Sequence, residues 1–289
     1  IDLVAEDIDG KTHAIQAKCY SEDNTVTKKD IDSFLSESTN ISKIHYRLLI
    51  ATTNLIAKNA RSVIDRQNKS VPINLILLSD LEAAPVSWPD SIHHLDTGGI
   101  KPKYLPRPHQ LAAIEDVVEK LDKRGQLIMA CGTGKTLTAL WISERLKAET
   151  ILVVLPSLLL LSKTLSEWLV HTKDEFIYLP VCSDESVDKQ NDSVNFSTYE
   201  LGYPSTTDPD SIREFLRKSG RKIIFSTYQS SQKIAEAVCG DNLKPFDFMI
   251  CDEAHRCAGK ADSIYATVIN DEMIPSKQRL FMTATPRIH

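Results

Sequence analysis

The chain has 289 residues, 42% of them hydrophobic and 25% charged, with a formal net charge of −5 at neutral pH. That length and balance give an ordinary globular protein of about two domains and exclude a low-complexity or disordered chain. No apolar run approaches the roughly 20 residues of a membrane-spanning helix, so no membrane partner is expected. The small acidic excess argues against indiscriminate binding to phosphate backbones, although a locally basic groove stays possible.

The chain opens on Ile1 with a strand pattern already under way and no leader pattern, so a piece of a longer protein is expected. Residues 1–6 alternate as a strand, Asp9-Gly10 signals a hairpin turn, and 13–20 form the returning strand. A helix follows over 27–35, with Thr27 as its cap ahead of the polar Lys28-Lys29-Asp30 turn. Residues 47–53 and 73–78 read as buried strands, and 54–66 carry helical spacing through Leu55, Ala60, Val63 and Ile64. Pro85, Pro89, Gly98, Gly99 and Pro102 then break any periodicity, which marks 85–104 as a linker between a domain at 1–84 and another at 105–289.

The second domain alternates strand and helix, the pattern of a parallel sheet covered on both faces. Strands are expected at 126–130, 151–155, 177–182, 222–226, 246–251 and 279–282, with helices at 135–147, 158–171, 212–218 and 230–238. Ser157 and Pro209 stand where an N-cap and a first-turn proline belong. The stretch 183–208, rich in Ser, Asp and Thr, reads as a surface excursion. The six cysteines, Cys19, Cys131, Cys182, Cys239, Cys251 and Cys257, include no C-x-x-C pair, which favours reduced thiols over a disulfide or zinc framework. Trp88, Trp141 and Trp168 are expected to pack.

Two sets of residues carry chemistry in the second domain. Met129-Ala130-Cys131-Gly132-Thr133-Gly134-Lys135-Thr136 follows a strand and opens a helix. Glycines there let main-chain N–H groups converge on phosphate oxygens, and the helix N-terminus adds partial positive charge. Gly132, Thr133 and Gly134 would cradle the phosphates, Lys135 would reach the β- and γ-phosphates, and Thr136 would ligate Mg²⁺. Met129 departs from the strict pattern, which begins with Gly or Ala. At the end of a buried strand, Asp252-Glu253-Ala254-His255 puts carboxylates where α/β folds bind ligands. Asp252 would hold Mg²⁺ and Glu253 would deprotonate the attacking water.

Gly132 to Thr136, Asp252 to His255 and Thr283-Ala284-Thr285 resemble motifs I, II and III of the DEAH-type superfamily-2 helicases and translocases. The resemblance runs from about 105 to 289 and implies the first of two RecA-like lobes, with ATP and Mg²⁺ as cofactors. It also implies that Gln110, in Arg107-Pro108-His109-Gln110, reads the adenine edge; a proline-started helix with a surface glutamine is the other reading. By the same resemblance, His255 and Thr283 couple phosphate state to nucleic-acid grip. Leu155-Pro156-Ser157 and Ser226-Thr227-Tyr228-Gln229-Ser230 are similar to that family's nucleic-acid contacts, although strand-end capping would explain them equally. A second lobe carrying an arginine finger would follow, so this piece is expected to bind ATP and hydrolyse it poorly.

In the first domain, Gln16 and Lys18 lie two apart on one strand and so face the same way, and Asp2 can meet them across the hairpin. A carboxylate, a carbonyl oxygen and an ammonium in one patch suit Mg²⁺-assisted phosphodiester cleavage; an ordinary hairpin with polar residues in water would show the same letters. Ile1 to Ala5 and Ala14 to Lys18 resemble the Mrr-like branch of the PD-(D/E)xK nucleases, which uses Gln-x-Lys. This implies that Asp2 and Gln16 hold the metal and that Lys18 acts at the nucleophile. Lys28, Lys29, Lys58, Arg61 and Arg66 could line a DNA side or simply be solvated.

The expected fold class is therefore α/β, a PD-(D/E)xK nuclease fold with a mixed sheet followed by a RecA-like parallel-sheet P-loop NTPase lobe. That order resembles the ATP-dependent restriction enzymes, above all the single-chain Type I (type ISP) restriction–modification enzymes and next the Type I restriction subunit. The resemblance implies double-stranded DNA as partner and a prokaryotic, cytoplasmic setting. It also implies a methyltransferase using S-adenosylmethionine and a target-recognition domain beyond the C-terminus. A DNA helicase with a dead nuclease fold and an RNA-dependent ATPase are the alternatives.

Overall fold

The computed structural model describes residues 1–7, 10–41, 43–67, 71, 73–84, 86–91, 93–94, 98–100, 102–183, 203–239, 243–254 and 264–285. Asp9 and His255 lie outside these residues, as do Cys257 and most of the 183–208 stretch. The chain divides into two compact units, residues 1–102 with 197–204, and residues 103–196 with 205–289.

The first unit is a four-stranded mixed sheet. Strand β1 (Leu3–Glu6) pairs antiparallel with β2 (Thr12–Lys18), and β2 runs parallel to β3 (Ile44–Ala51), which runs parallel to β4 (Ile73–Ile76). Parallel neighbours need crossovers. Helix α1 (Lys28–Ser38) supplies the first and α2 (Lys58–Gln67) the second. Their apolar faces, including Ile31, Phe34, Ala60 and Ile64, close over Ala14, Leu49, Ala51, Ile73 and Leu75. Thr27 precedes α1 as expected: the Asp30 carboxylate accepts from its backbone N–H at 2.8 Å and its hydroxyl at 2.7 Å.

Two elements differ from the sequence reading. The strand expected over 73–78 stops at Ile76 and gives way to helix α3 (Leu78–Ala83). Asp80 explains the switch, because its carboxylate accepts from Leu77 N at 2.8 Å and satisfies a donor at the helix start. Within the expected linker, β5 (Val86–Ser87) and β6 (Gly99–Ile100) pair as a short antiparallel ribbon.

The second unit opens with α4 (Pro108–Lys120) and holds a wholly parallel six-stranded sheet. The strands are β7 (Arg124–Ile128), β8 (Thr150–Leu155), β9 (Ile177–Val181), β10 (Lys222–Thr227), β11 (Phe246–Cys251) and β12 (Ser276–Thr283), in the spatial order β7-β12-β11-β8-β10-β9. Helices α5 (Lys135–Arg145), α6 (Leu158–His171), α7 (Pro209–Arg217), α8 (Ser231–Val238) and α9 (Ile264–Ile269) connect them. Ile151, Leu152, Val153, Val154 and Leu155 are all buried, as a strand covered on both faces requires. The expected caps form: Ser157 accepts from Leu160 N at 3.3 Å, and Pro209 starts α7 behind Asp208. No helix among the described residues is long and apolar enough to cross a membrane.

One charged cluster sits inside this unit. Arg279 of β12 is fully buried; its guanidinium donates to the carbonyls of Ile269 at 2.7 Å and Ile274 at 2.8 Å and pairs with Asp271 at 2.9 Å. Asp271 also meets Arg124 at 2.8 Å and Lys123 at 3.1 Å. Partial burial pushes its carboxyl up, but the three cations outweigh this and hold it below its ordinary range. Asp271→Ala is expected to lower unfolding free energy by about 3 kcal/mol in urea titration, because it strands a buried cation. The folded-state pKa lies below the unfolded one, so this contribution is complete above the unfolded value and fades as pH falls through the folded one.

Candidate active sites

The phosphate loop begins where β7 ends. Met129 N donates to Thr283 O at 3.1 Å, which ties the loop to the end of β12. Gly132 (φ 76°) and Gly134 (φ 84°) both take the left-handed backbone that glycine reaches at least cost. Gly134 has a second reason to lack a side chain, since a Cβ there would lie 2.4 Å from Gln110 Nε2.

Gln110 is buried at 4% exposure, so it is not the surface residue of the simpler reading. Its Nε2 donates to the carbonyls of Thr133 and Gly134, both at 3.2 Å, and its Oε1 accepts from Arg107 N at 2.9 Å. The side chain thus holds the loop, and one lone pair of Oε1 is what it has left to offer a base.

Lys135 and Glu253 come together. Lys135 Nζ lies 3.8 Å from Glu253 Oε1 and donates to Met129 O at 3.4 Å. Asp252, buried at the end of β11, continues the sheet by donating from its N–H to Val154 O at 2.9 Å, and its Oδ1 accepts from Glu253 N at 2.9 Å. Glu253 has a φ of 50°, in the left-handed region that non-glycine residues rarely enter. Strained backbone of this kind gathers at functional sites. Thr136 begins the same helix as Lys135, and its carbonyl accepts from Trp168 Nε1 at 3.0 Å, so Trp168 both packs and fixes the helix start.

Thr136 hydroxyl and Asp252 carboxylate are hard oxygen donors of the kind Mg²⁺ selects. Among the described residues no three His, Cys, Asp or Glu side chains gather as a metal cage. Mg²⁺ does not require one, because it keeps waters and shares substrate phosphates. A groove of about 630 Å³ between α4 and β7 touches the loop at Met129, Ala130 and Thr133 but includes neither Lys135 nor the carboxylates.

The strand-end segments make hydrogen bonds within the fold. Thr227 and Ser230 are buried and bonded to each other at 3.2 Å, and the buried Tyr228 hydroxyl donates to Asp252 O at 2.7 Å. Thr283 Oγ1 accepts from Thr285 N and donates to Thr285 O, each at 3.2 Å.

In the first unit, Asp2 stands just ahead of β1 rather than inside it. Asp2 N donates to Ile15 O at 3.0 Å, which extends the antiparallel pair by one residue and sets Asp2 beside Gln16. Asp2 Oδ2 accepts from Gln16 Nε2 at 2.6 Å and from Ala17 N at 2.7 Å. With its amide nitrogen aimed at the carboxylate, Gln16 turns its oxygen elsewhere. Lys18 does not touch this pair. Its Nζ lies 3.7 Å from Asp30 Oδ1, which also accepts from Tyr20 OH at 2.8 Å.

The sequence reading missed Asp30 and Tyr20. The two-residue step from Lys18 to Tyr20 and the Thr27-x-x-Asp30 capping spacing were the available signals. Among the basic residues, Lys28 pairs with Asp32 at 3.9 Å and Arg66 donates to Ser62 O at 2.9 Å, both exposed.

A strand–loop–helix segment with phosphate-loop glycines on a parallel sheet, following in sequence a mixed sheet with an Asp–Gln–Lys hairpin, defines a RecA-like NTPase lobe preceded in the chain by a nuclease fold. The family described as "Type III restriction enzyme, res subunit" matches residues 103–288, and that described as "Restriction endonuclease" matches 1–96. The chain belongs to the first of these families over its second unit and carries a restriction-endonuclease domain ahead of it.

Among solved structures, the ATP-dependent Type ISP restriction-modification enzyme LlaBIII bound to DNA is 34% identical with a TM-score of 0.84, over 99% of this chain and 19% of that one. A nuclease-deletion mutant of the Type ISP enzyme LlaGI, in complex with a DNA substrate mimic, is 36% identical with a TM-score of 0.51, over 65% of this chain and 18% of that one. The Probable helicase A859L of African swine fever virus is 28% identical over 68% of this chain and 21% of its own length. The Uncharacterized ATP-dependent helicase YqhH of Bacillus subtilis is 29% identical over 64% of this chain and 27% of its own. The chain therefore spans about a fifth to a quarter of the length of these relatives.

Proposed function

We propose that this chain is the nuclease and first motor lobe of an ATP-dependent DNA restriction enzyme, which moves along double-stranded DNA by hydrolysing ATP and cuts it with Mg²⁺. The observation that carries the reading is the Asp2–Gln16–Lys18 hairpin on the same chain as a phosphate loop whose lysine faces Glu253.

In the motor, main-chain N–H groups around Gly132 and Gly134 bind the phosphates and Lys135 offsets their charge. Thr136 and Asp252 would hold Mg²⁺, which supplies charge neutralisation on the phosphate oxygens. Glu253 orients the attacking water and takes its proton at a carboxylate oxygen. In the nuclease, Asp2 would hold a second Mg²⁺, joined by Gln16 with its amide rotated to present the oxygen, and the ion would supply phosphate polarisation and a more acidic water. The ammonium of Lys18 offsets charge that develops on the cleaved phosphate.

The test is nicking of supercoiled plasmid by the full-length protein with ATP and Mg²⁺. Lys18→Ala is expected to slow nicking by about 100-fold or more, the scale of one lost charge-stabilising donor, while DNA-stimulated ATP hydrolysis continues. Wild-type nicking in that variant would overturn the nuclease assignment. ATP turnover stimulated by RNA but not by duplex DNA would overturn the substrate.

A further inference from the structure

We propose that Asp30 is a positioning residue for Lys18, and that Tyr20 holds Asp30 in that role. The proposal rests on the nuclease reading of the Asp2–Gln16–Lys18 hairpin.

Lysine carries its charge on a flexible four-carbon stem, so a useful ammonium needs a fixed partner. Asp30 is such a partner. One carboxylate oxygen accepts from the backbone N–H and hydroxyl of Thr27, at 2.8 and 2.7 Å, and the other accepts from Tyr20 OH at 2.8 Å. With three donors on two oxygens, the carboxylate cannot swing to follow the lysine, so the lysine must come to it. Tyr20 is anchored in turn: its N–H donates to Thr52 Oγ1 at 2.7 Å, and its carbonyl accepts from the same hydroxyl at 2.6 Å.

A capping role alone does not account for this arrangement. The cap of α1 needs only Thr27 and Asp30. Lys18 ends β2 and Tyr20 follows two residues later, and the Lys18 and Asp30 side chains are only 24% and 16% exposed. Burial raises the Asp30 carboxyl, but its bonds to Thr27 and Tyr20 and the nearby Lys18 charge bring it below the ordinary range. The bond to Asp30 is the main reason that the Tyr20 phenol is pushed up. The carboxylate therefore stays ionised beside the lysine.

The separation of 3.7 Å matters as well. It is close enough to orient the ammonium electrostatically, yet beyond a hydrogen bond, and no hydrogen bond from Lys18 Nζ forms among the described residues. All three N–H donors of the lysine remain available to a phosphate.

The test uses the full-length protein with Asp30→Asn, Asp30→Glu, Tyr20→Phe and Lys18→Ala. Phe34→Leu serves as a control that loosens α1 from the core without touching Lys18. Two quantities are measured: plasmid nicking at saturating Mg²⁺, and acylation of Lys18 by an amine-reactive ester in metal-free, DNA-free protein, read by mass spectrometry. Asp30→Asn is expected to slow nicking about tenfold or more through lost orientation, and to raise Lys18 acylation several-fold. Tyr20→Phe should do the same to a smaller degree, and Asp30→Glu, which keeps the charge, should recover part of the rate. Phe34→Leu should lower Tm while leaving both readouts near wild type.

If Asp30→Asn nicks at the wild-type rate while Lys18→Ala is inactive, Asp30 is only a helix cap and the positioning proposal fails. The same holds if rate and acylation follow Tm across all variants. If the wild-type protein does not nick, the nuclease reading itself fails and the proposal falls with it.

Discussion

Replacing Lys135 with alanine is expected to weaken ATP binding by about 100-fold or more. The ammonium is one of few cations that can meet the β- and γ-phosphates, and two charge-assisted hydrogen bonds contribute about 3 kcal/mol together. Its place is set by the left-handed Gly134 that starts α5, by the Met129 carbonyl at 3.4 Å and by Glu253 at 3.8 Å. The chain carries its own reporter for this. Cys131, an exposed free thiol, sits inside the loop, whereas the exposed Cys19 and Cys239 lie elsewhere in the sequence. Mg²⁺–ATP should shield Cys131 from alkylation in the wild-type protein and should fail to do so in Lys135→Ala at the same concentration, with Cys19 and Cys239 unchanged. Equal shielding in both proteins would remove Lys135 from the phosphate site.

Glu253→Gln separates binding from chemistry. The substitution keeps size and shape but cannot take a proton, so DNA-stimulated turnover in the full-length protein should fall about 100- to 10,000-fold, the range of a lost general base. ATP affinity should be held or slightly raised, since Lys135 no longer shares its charge with a carboxylate. Turnover close to wild type would place the base on another residue. Loss of binding together with turnover would mean that Glu253 supports the loop rather than the reaction.

How much of this was legible depended on how local the cause was. The parallel sheet was visible because buried strands such as Phe246–Cys251 and Thr150–Leu155 are nearly unbroken apolar runs between amphipathic helices. The phosphate loop was visible because its glycines, lysine and helix start are consecutive. The hairpin pairing of Asp2 with Gln16 followed from strand alternation alone.

Other features depend on partners far away in sequence. Asp30 beside Lys18 bridges 12 positions and had only indirect spacing signals, while Trp168 on the Thr136 carbonyl and Tyr228 on the Asp252 carbonyl bridge 32 and 24 positions, and no spacing rule announces them. The helix at Leu78–Ala83 was missed because one carboxylate, Asp80, decided against a run of apolar residues that read equally well as strand. Gln110's bonds to the loop carbonyls of Thr133 and Gly134, 23 and 24 positions away, were likewise outside what its own segment could announce.

The left-handed backbone at Glu253 has a consequence for how such a chain can change over generations. Side chains beyond glycine lose roughly 1–2 kcal/mol in that conformation. Selection for thermal robustness alone would therefore drift toward glycine here and erase the carboxylate. A glutamate at a φ of 50° therefore carries a stability cost that glycine would not, and under the role proposed for Glu253 that cost is the counterpart of having a carboxylate at this point.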